Sequence, residues 1–151
     1  MYILANWKNS LSSEASKGLA ESLHSRFIGQ YDNINIVLFP DDVSIEAVSL
    51  IFDSVSMVSV GAQDGPLEPN TPLTGAISLP NLGKFCDYVL LGHSERRVLL
   101  GETDEMIARK AALAIDVGVI PVICVNKGDG TEIDPRSGLK AQLESILDHI
   151  D

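Results

Sequence analysis

The residues best suited to chemistry follow directly after a buried strand. Residues 88–91 are apolar and favour β-structure, and His93, Ser94 and Glu95 come next after a single glycine. In parallel α/β folds the chemistry lies at the carboxyl ends of the strands, so these polar side chains are expected at a site. Ser94 and Glu95 suit the first turn of a helix, whose positive field disfavours protonation of a nearby histidine. The hypothesis is a neutral His93 imidazole at pH 7, directed into that site.

A structural interpretation of the same segment is equally open at this point. His93 would then be a hydrogen-bonded, partly buried histidine. Glu95, Arg96 and Arg97 would form a solvated salt-bridge cluster, because polar residues are common at strand ends and exposed ion pairs stabilise little. The residue types of this segment alone do not decide between the two interpretations.

Five strand-plus-helix units are predicted to position these groups. The opening strand, residues 2–7, also ends in polar side chains, those of Asn6 and Lys8. Apolar runs then recur at intervals of roughly 30 residues, which demands parallel strands and right-handed crossovers. This repeat leaves open whether the strands form an open sheet or part of a barrel. The predicted strands are residues 2–7, 34–39, 57–62, 87–91 and 119–125, and the predicted helices are residues 13–28, 45–52, 79–85, 104–117 and 135–150.

Length and composition limit the class of protein. The 151 residues are expected to form a single domain, 1–151, with an aliphatic core, since 45% of them are apolar and only 5% aromatic. The formal charge of -10 argues against binding to nucleic acid or to an anionic membrane. Cys86 and Cys124 lie in or beside apolar runs, and neither a CxxC spacing nor a signal-like N-terminus is present. They are expected to be reduced, buried thiols of a cytoplasmic protein.

A doubly wound domain of the flavodoxin or receiver type also fits the length. Receiver chemistry needs acidic residues after the first and third strands and a lysine after the fifth. Asp64 and Lys127 fit, but the first strand ends in Asn6, Trp7 and Lys8. No phosphate-cradling glycine motif follows a strand, so nucleotide binding has no support. The three histidines are too scattered in the sequence to predict a metal site.

A set of short motifs carries a resemblance to a known family. The motifs are NWK at 6–8, GAQ at 61–63, TGAIS at 74–78, YVLLGHSERR at 88–97 and GETDEMIARK at 101–110. In order and spacing these motifs resemble triosephosphate isomerase, from the N-terminus to about Val125. The resemblance implies an incomplete TIM (β/α)8 barrel of about five βα units. It also implies an isomerase of glycolysis and gluconeogenesis that interconverts dihydroxyacetone phosphate and glyceraldehyde 3-phosphate without a cofactor or a metal.

The resemblance also assigns roles to individual residues. Asn6 and Lys8 would contact the substrate, and Lys8 would supply a local cation for the triose phosphate. His93 would be the neutral electrophile that polarises the substrate carbonyl, a known property of this family. Glu95 would position Lys8 and His93. These groups would supply donors to an enediolate, which the isomerisation of an α-hydroxy carbonyl requires.

The long segment 63–78 is expected to be an interaction element. In the family it would reach into a neighbouring subunit, where Thr74 completes the site while Gln63 and Arg96 support the interface. A mobile surface loop is the alternative, although a loop of this length in a compact domain is usually functional. An unclosed arc of five strands also leaves two sheet edges and apolar faces exposed. A homo-oligomer formed through this loop and these edges is therefore expected.

The sequence departs from the family pattern in ways that bear on activity. Family barrels have eight strands, and the predicted pattern has five, without the segments that supply the glutamate base, the lid and the phosphate loops. Asp64 stands where asparagine is usual, Ala76 replaces a glutamate, and Asn126 and Lys127 replace a usual Gly-Glu pair. We therefore expect the chain alone to be inactive as an isomerase. The alternative is a non-catalytic partial-barrel scaffold or self-associating binding module.

Overall fold

Five parallel strands lie side by side in chain order and form one sheet that curls into part of a barrel. The computed structural model describes residues 1–27, 33–68, 74, 77–125 and 135–150. This architecture confirms the predicted incomplete TIM barrel and excludes the doubly wound alternative, in which the strand order would reverse. The strands are β1 (Tyr2–Asn6), β2 (Asn35–Phe39), β3 (Val58–Ala62), β4 (Tyr88–Leu91) and β5 (Ile120–Ile123), and the helices are α1 (Ser13–His24), α2 (Ile45–Phe52), α3 (Leu79–Leu82), α4 (Ser94–Leu100), α5 (Asp104–Asp116) and α6 (Pro135–Leu147).

The order of the elements matches the prediction, but several elements are shorter than predicted. Helix α1 ends at His24, and the predicted end, Ile28, lies outside the described residues. Phe27, which the apolar spacing placed in this helix, lies beyond its end but still packs against the main core beside Phe52. Helix α3 ends at Leu82, three residues before the predicted end. Apolar periodicity thus identified core positions better than it identified helix ends.

Side-chain hydroxyl groups cap the N-termini of α1 and α5. Ser12 caps α1, with its hydroxyl accepting a hydrogen bond from the amide of Ala15 at 3.2 Å. Thr103 caps α5 in the same way through the amide of Met106 at 3.3 Å. Serine and threonine are among the residues preferred at this position. In the described part of the chain, no helix is long and apolar enough to cross a lipid bilayer.

The two faces of the sheet are buried to different extents. The main core lies between the sheet and the helices, and it includes Cys86, whose burial raises the pKa of its thiol to about 11. A small second cluster lies on the opposite face, built on Val37, Phe39 and Leu90 with Cys124 packed against it. Both thiols are free; Cys86 is buried as predicted, whereas Cys124 is only half-buried because it lies just after the edge strand β5. Both cysteines therefore contribute to hydrophobic packing.

The edge strands leave apolar side chains open to solvent. On β1, Tyr2 is 61% exposed and Leu4 is 48% exposed, and on β5 Ile120 is 51% exposed. By strand register Leu4 lies on the same face as Val37, the face of the small second cluster. In a closed barrel this face would be covered on all sides. The exposed apolar edges predicted from the sequence are present in the structure.

Candidate active site

Three of the predicted site residues are in contact at the carboxyl end of the sheet. The Lys8 ammonium, just after β1, donates to Glu95 Oε1 at 2.6 Å. Glu95 lies in the first turn of α4, and its Oε2 is 3.3 Å from Nδ1 of His93, which precedes that helix. The side chains of Lys8, Glu95 and His93 are 52%, 51% and 25% exposed. The structure therefore joins residues that are 87 positions apart into one solvent-accessible cluster.

The backbone of Lys8 is held in an uncommon conformation. Its φ is 54°, a left-handed value that a side-chain-bearing residue adopts at a cost. The Asn6 side chain accepts a hydrogen bond from the Lys8 amide at 2.8 Å. Gln63, after β3, donates through Nε2 to the carbonyl oxygens of Lys8 at 2.8 Å and of Phe39 at 3.0 Å. The ends of β1, β2 and β3 thus converge on the lysine.

The protonation of His93 follows from its position before α4. The amide of Glu95 donates to His93 Nδ1 at 3.4 Å, which requires Nδ1 to lack a proton. The Glu95 carboxylate at 3.3 Å favours the opposite, a proton on Nδ1. The helix fixes the direction of the Glu95 amide, so Nδ1 is the accepting atom of the ring and the ring proton lies on Nε2.

Glu95 is held in its ionised form by its neighbours. The hydrogen bond from Lys8 and the positive charge of its ammonium lower the pKa of the Glu95 carboxyl below its usual value. The carboxylate therefore remains negative at neutral pH and can hold Lys8 in place. This geometry fits the positioning role predicted for Glu95.

A second, more deeply buried charge cluster lies beside the first. The Lys110 ammonium contacts Asp64 at 2.8 Å and Glu102 at 2.6 Å, and Arg96 contacts Asp64 at 2.6 Å and Glu102 at 2.9 Å. Burial raises the pKa of Asp64, against the lowering effect of Lys110 and Arg96. For Glu102 burial also acts to raise the pKa, but hydrogen bonds from Lys110 and Arg96 outweigh it and leave the pKa lowered. Two cations thus balance two carboxylates.

This second cluster was not predicted from the sequence. In sequence, Asp64 is a departure from a usual asparagine and Arg96 is predicted at a subunit interface. No local spacing indicates the cluster, because Glu102 precedes α5 and Asp64 follows β3. Lys110 is 3% exposed, so its burial required carboxylate partners.

Two of the three predicted interface residues line one cleft. A cavity of about 390 Å³ beside the Lys8 loop is lined by Gln63 and Arg96 together with Asp41 and Asp42. Burial and the nearby Asp41 raise the pKa of Asp42. Thr74, the third residue, is exposed in a turn. A larger cavity, about 460 Å³, lies at the other end of β3 and contains none of the predicted site residues.

Comparison with known proteins places this arrangement in a family. The family model for triosephosphate isomerase matches residues 1–151. The chain belongs to the triosephosphate isomerase family. Similar proteins include the triosephosphate isomerases of Cupriavidus taiwanensis, 36% identical over 151 residues, Cupriavidus necator, 34% identical over 149 residues, and Francisella philomiragia subsp. philomiragia, 32% identical over 155 residues.

These alignments cover the relatives only in part. The alignment with the Cupriavidus taiwanensis protein covers 95% of this chain and 60% of that relative. The corresponding values are 97% and 59% for Cupriavidus necator, and 98% and 58% for Francisella philomiragia subsp. philomiragia. The chain therefore spans less than two thirds of the length of these relatives. Membership in the triosephosphate isomerase family is shown, whereas the roles of Asn6, Lys8, His93 and Glu95 remain predictions. Asn126 and Lys127, at the other departure noted above, lie outside the described residues.

Proposed function

We propose that this chain carries the electrophilic half of a triosephosphate isomerase site. The observation that supports the proposal is the contact of Lys8, Glu95 and His93 at the carboxyl end of the sheet, in a chain of that family. The substrate class is a small phosphorylated triose, and the reaction interconverts dihydroxyacetone phosphate and glyceraldehyde 3-phosphate in the cytoplasm. Such a reaction belongs to glycolysis and gluconeogenesis. It requires no cofactor and no metal.

Each residue has a role that its position allows. The Nε2 proton of a neutral His93 polarises the substrate carbonyl and moves a proton between the two substrate oxygens. The Lys8 ammonium stabilises the negative charge of the enediolate and of the phosphate. The Asn6 side chain accepts a hydrogen bond from the Lys8 amide and so stabilises the backbone of Lys8. Asn6 is also proposed to contact the substrate that Lys8 binds. Glu95 keeps the ammonium directed into the site.

The isolated 151 residues are proposed to be inactive, because isomerisation also needs a base for the carbon-bound proton. Glu95 is bound to Lys8 and His93. Asp64 and Glu102 are bound to Lys110. In the described part of the chain, these carboxylates are committed to cations and are poorly suited to accept a proton from substrate.

A coupled assay of the purified chain tests this proposal. The expected result is no conversion of glyceraldehyde 3-phosphate above the blank. Turnover in the purified chain that is abolished by His93→Asn would show an unrecognised base and would overturn the proposed inactivity.

A second candidate function is that of a non-catalytic, self-associating module. The exposed apolar residues Tyr2, Leu4 and Ile120 on the two edge strands favour it. The cleft lined by Gln63 and Arg96 is open to receive a neighbour's segment 63–78, with Thr74 at the contact. Sedimentation at micromolar concentration tests this candidate, and a monodisperse monomer would count against it.

A further inference from the structure

Arg97 is an arginine that the proposed mechanism does not use, yet it is bound on three sides. Its side chain is only 11% exposed. Its Nε donates to the Gly92 carbonyl at 2.9 Å, Nη1 donates to Asp104 at 2.6 Å, and Nη2 donates to the Cys124 carbonyl at 3.3 Å. These acceptors lie at the end of β4, at the first residue of α5 and just after β5. One guanidinium therefore joins three elements around the loop that contains His93.

Arg97 contacts the peptide groups on both sides of His93. The Gly92 carbonyl, which belongs to the peptide bond that precedes His93, accepts from the Arg97 side chain at 2.9 Å. The His93 carbonyl, which belongs to the next peptide bond, accepts from the backbone amides of Arg96 at 2.9 Å and Arg97 at 3.2 Å. The orientation of these two peptide planes determines where the His93 side chain starts. Fixing both planes therefore restricts the direction of the imidazole.

The turn before His93 is tightly enclosed. Gly92 has a φ of 71°, and a Cβ built there would lie 2.6 Å from Ile107 Cδ1 and 3.1 Å from Arg97 Nη2. The packed side chains of Ile107 and Arg97 thus close the space around the glycine. The left-handed backbone of Gly92 and the hydrogen bond from the Arg97 guanidinium both restrict the orientation of the Gly92 carbonyl.

We propose that Arg97 is a positioning residue for His93. Its side chain fixes the peptide group that precedes the histidine and connects it to α5 through Asp104 and to β5 through Cys124, while backbone amides of α4 hold the peptide group that follows. The proposal rests on the proposed function only in assigning His93 to the substrate site. The contacts do not depend on a bound substrate.

An arginine is needed at this position because three acceptors lie in different directions. The guanidinium has donors in a planar fork, whereas a lysine ammonium is a single point on a flexible stem. Arg97→Lys keeps the charge near Asp104 but cannot also reach both carbonyls in the same geometry. The variant therefore separates the positioning effect from the loss of a positive charge.

The test uses the purified chain and nuclear magnetic resonance of its histidine rings and amides. In Arg97→Lys we expect the ring signals of His93 to shift while those of His24 and His149 keep their positions. Hydrogen exchange of the amides of residues 96 and 97, which donate to the His93 carbonyl, should become faster by roughly tenfold, the effect of losing one charge-assisted hydrogen bond. Arg109→Lys, at an exposed position of α5, is the matched control and should change neither readout.

A second variant keeps the test decisive if Arg97→Lys fails to fold. Asp104→Asn weakens only the Nη1 contact, so the His93 signals should shift in the same direction and by less. His93 signals and exchange rates that match the parent in a folded Arg97→Lys, or in Asp104→Asn where that alone folds, would overturn the proposal. Because neither readout needs turnover, this proposal and the proposed isomerase function can fail independently.

Discussion

Lys8 is the residue on which the candidate site most depends. A left-handed backbone at φ 54° costs about 1 kcal/mol, so surrounding contacts must hold it. Those contacts are the Asn6 side chain on the amide, the Gln63 side chain on the carbonyl and Glu95 on the ammonium. The strain and its supports are concentrated on the one residue proposed to carry a cation to the substrate.

The first prediction concerns the ionisation of Glu95. Because Lys8 lowers the pKa of the Glu95 carboxyl, Lys8→Gln should raise that pKa toward its usual value. The contact between Lys8 and Glu95 stabilises the folded chain at pH values above the ordinary carboxyl pKa. This stabilisation is lost as the pH falls through the lowered pKa of Glu95 in the folded chain. In Lys8→Gln this contribution should be absent at every pH. Titration of the Glu95 side-chain carbon signal by nuclear magnetic resonance measures the change.

Lys17→Gln is a control for this titration. Lys17 lies on α1 and is 3.9 Å from Glu21, away from the Glu95 cluster. The Lys17→Gln variant removes the same charge from the chain and should leave the pKa of Glu95 unchanged. An equal shift in the two variants would mean that net charge, and not the Lys8 contact, lowers the pKa.

At the scale of elements, the strands meet so closely that a single methyl group matters. A Cβ at Gly61 on β3 would overlap Cε1 of Phe39, a buried ring of the small second cluster. Gly61→Ala should lower the free energy of unfolding by about 1–3 kcal/mol, since the ring must move within packed surroundings. Chemical denaturation measures this loss.

Gly18→Ala is the matched substitution with the opposite expected sign. Gly18 lies inside α1 and a Cβ there would have no neighbour within 4 Å. Alanine should stabilise the helix by about 0.5–1 kcal/mol, because glycine loses more backbone entropy on folding. If both variants changed stability in the same direction, contact with Phe39 would not be the cause at Gly61.

The buried charge cluster joins β3, α4 and α5. Lys110→Met would leave Asp64 and Glu102 without one of their two cations while both remain largely buried. We expect a loss of about 3 kcal/mol in the free energy of unfolding. Lys140→Met, at a lysine side chain that is 76% exposed, should change it by less than about 0.5 kcal/mol. A loss at Lys110 as small as at Lys140 would contradict the role given to the cluster.

Across the whole molecule, the order of five parallel units could be predicted because apolar runs are local signals. They recur at intervals of roughly 30 residues, and each coincides with a strand of the structure. Local signals did not predict that Gln63 binds the Lys8 carbonyl, because that contact depends on the relative positions of two strand ends that are distant in sequence. The Lys110 contacts to Asp64 were missed for the same reason.

The open edges of the partial barrel predict self-association. Leu4→Lys should shift the chain toward the 16.2 kDa monomer in sedimentation velocity, because it places a charge on an exposed apolar edge. Leu50→Lys, on the outer helix α2, is the control at a position that is 68% exposed and should leave the distribution unchanged. A parent chain that is already monomeric at micromolar concentration would contradict this prediction.

Lys8 and His93 are proposed to form one half of a triosephosphate isomerase site, and a chimera can supply the other half. Residues 1–151 would be joined to the part of the Cupriavidus necator relative that the alignment does not cover, and isomerase turnover would be measured. We predict turnover that His93→Gln lowers by roughly 10²–10⁴-fold and that His149→Gln, at an exposed position, leaves unchanged. A folded chimera without turnover, or one whose turnover is unaffected by His93→Gln, would contradict the claim.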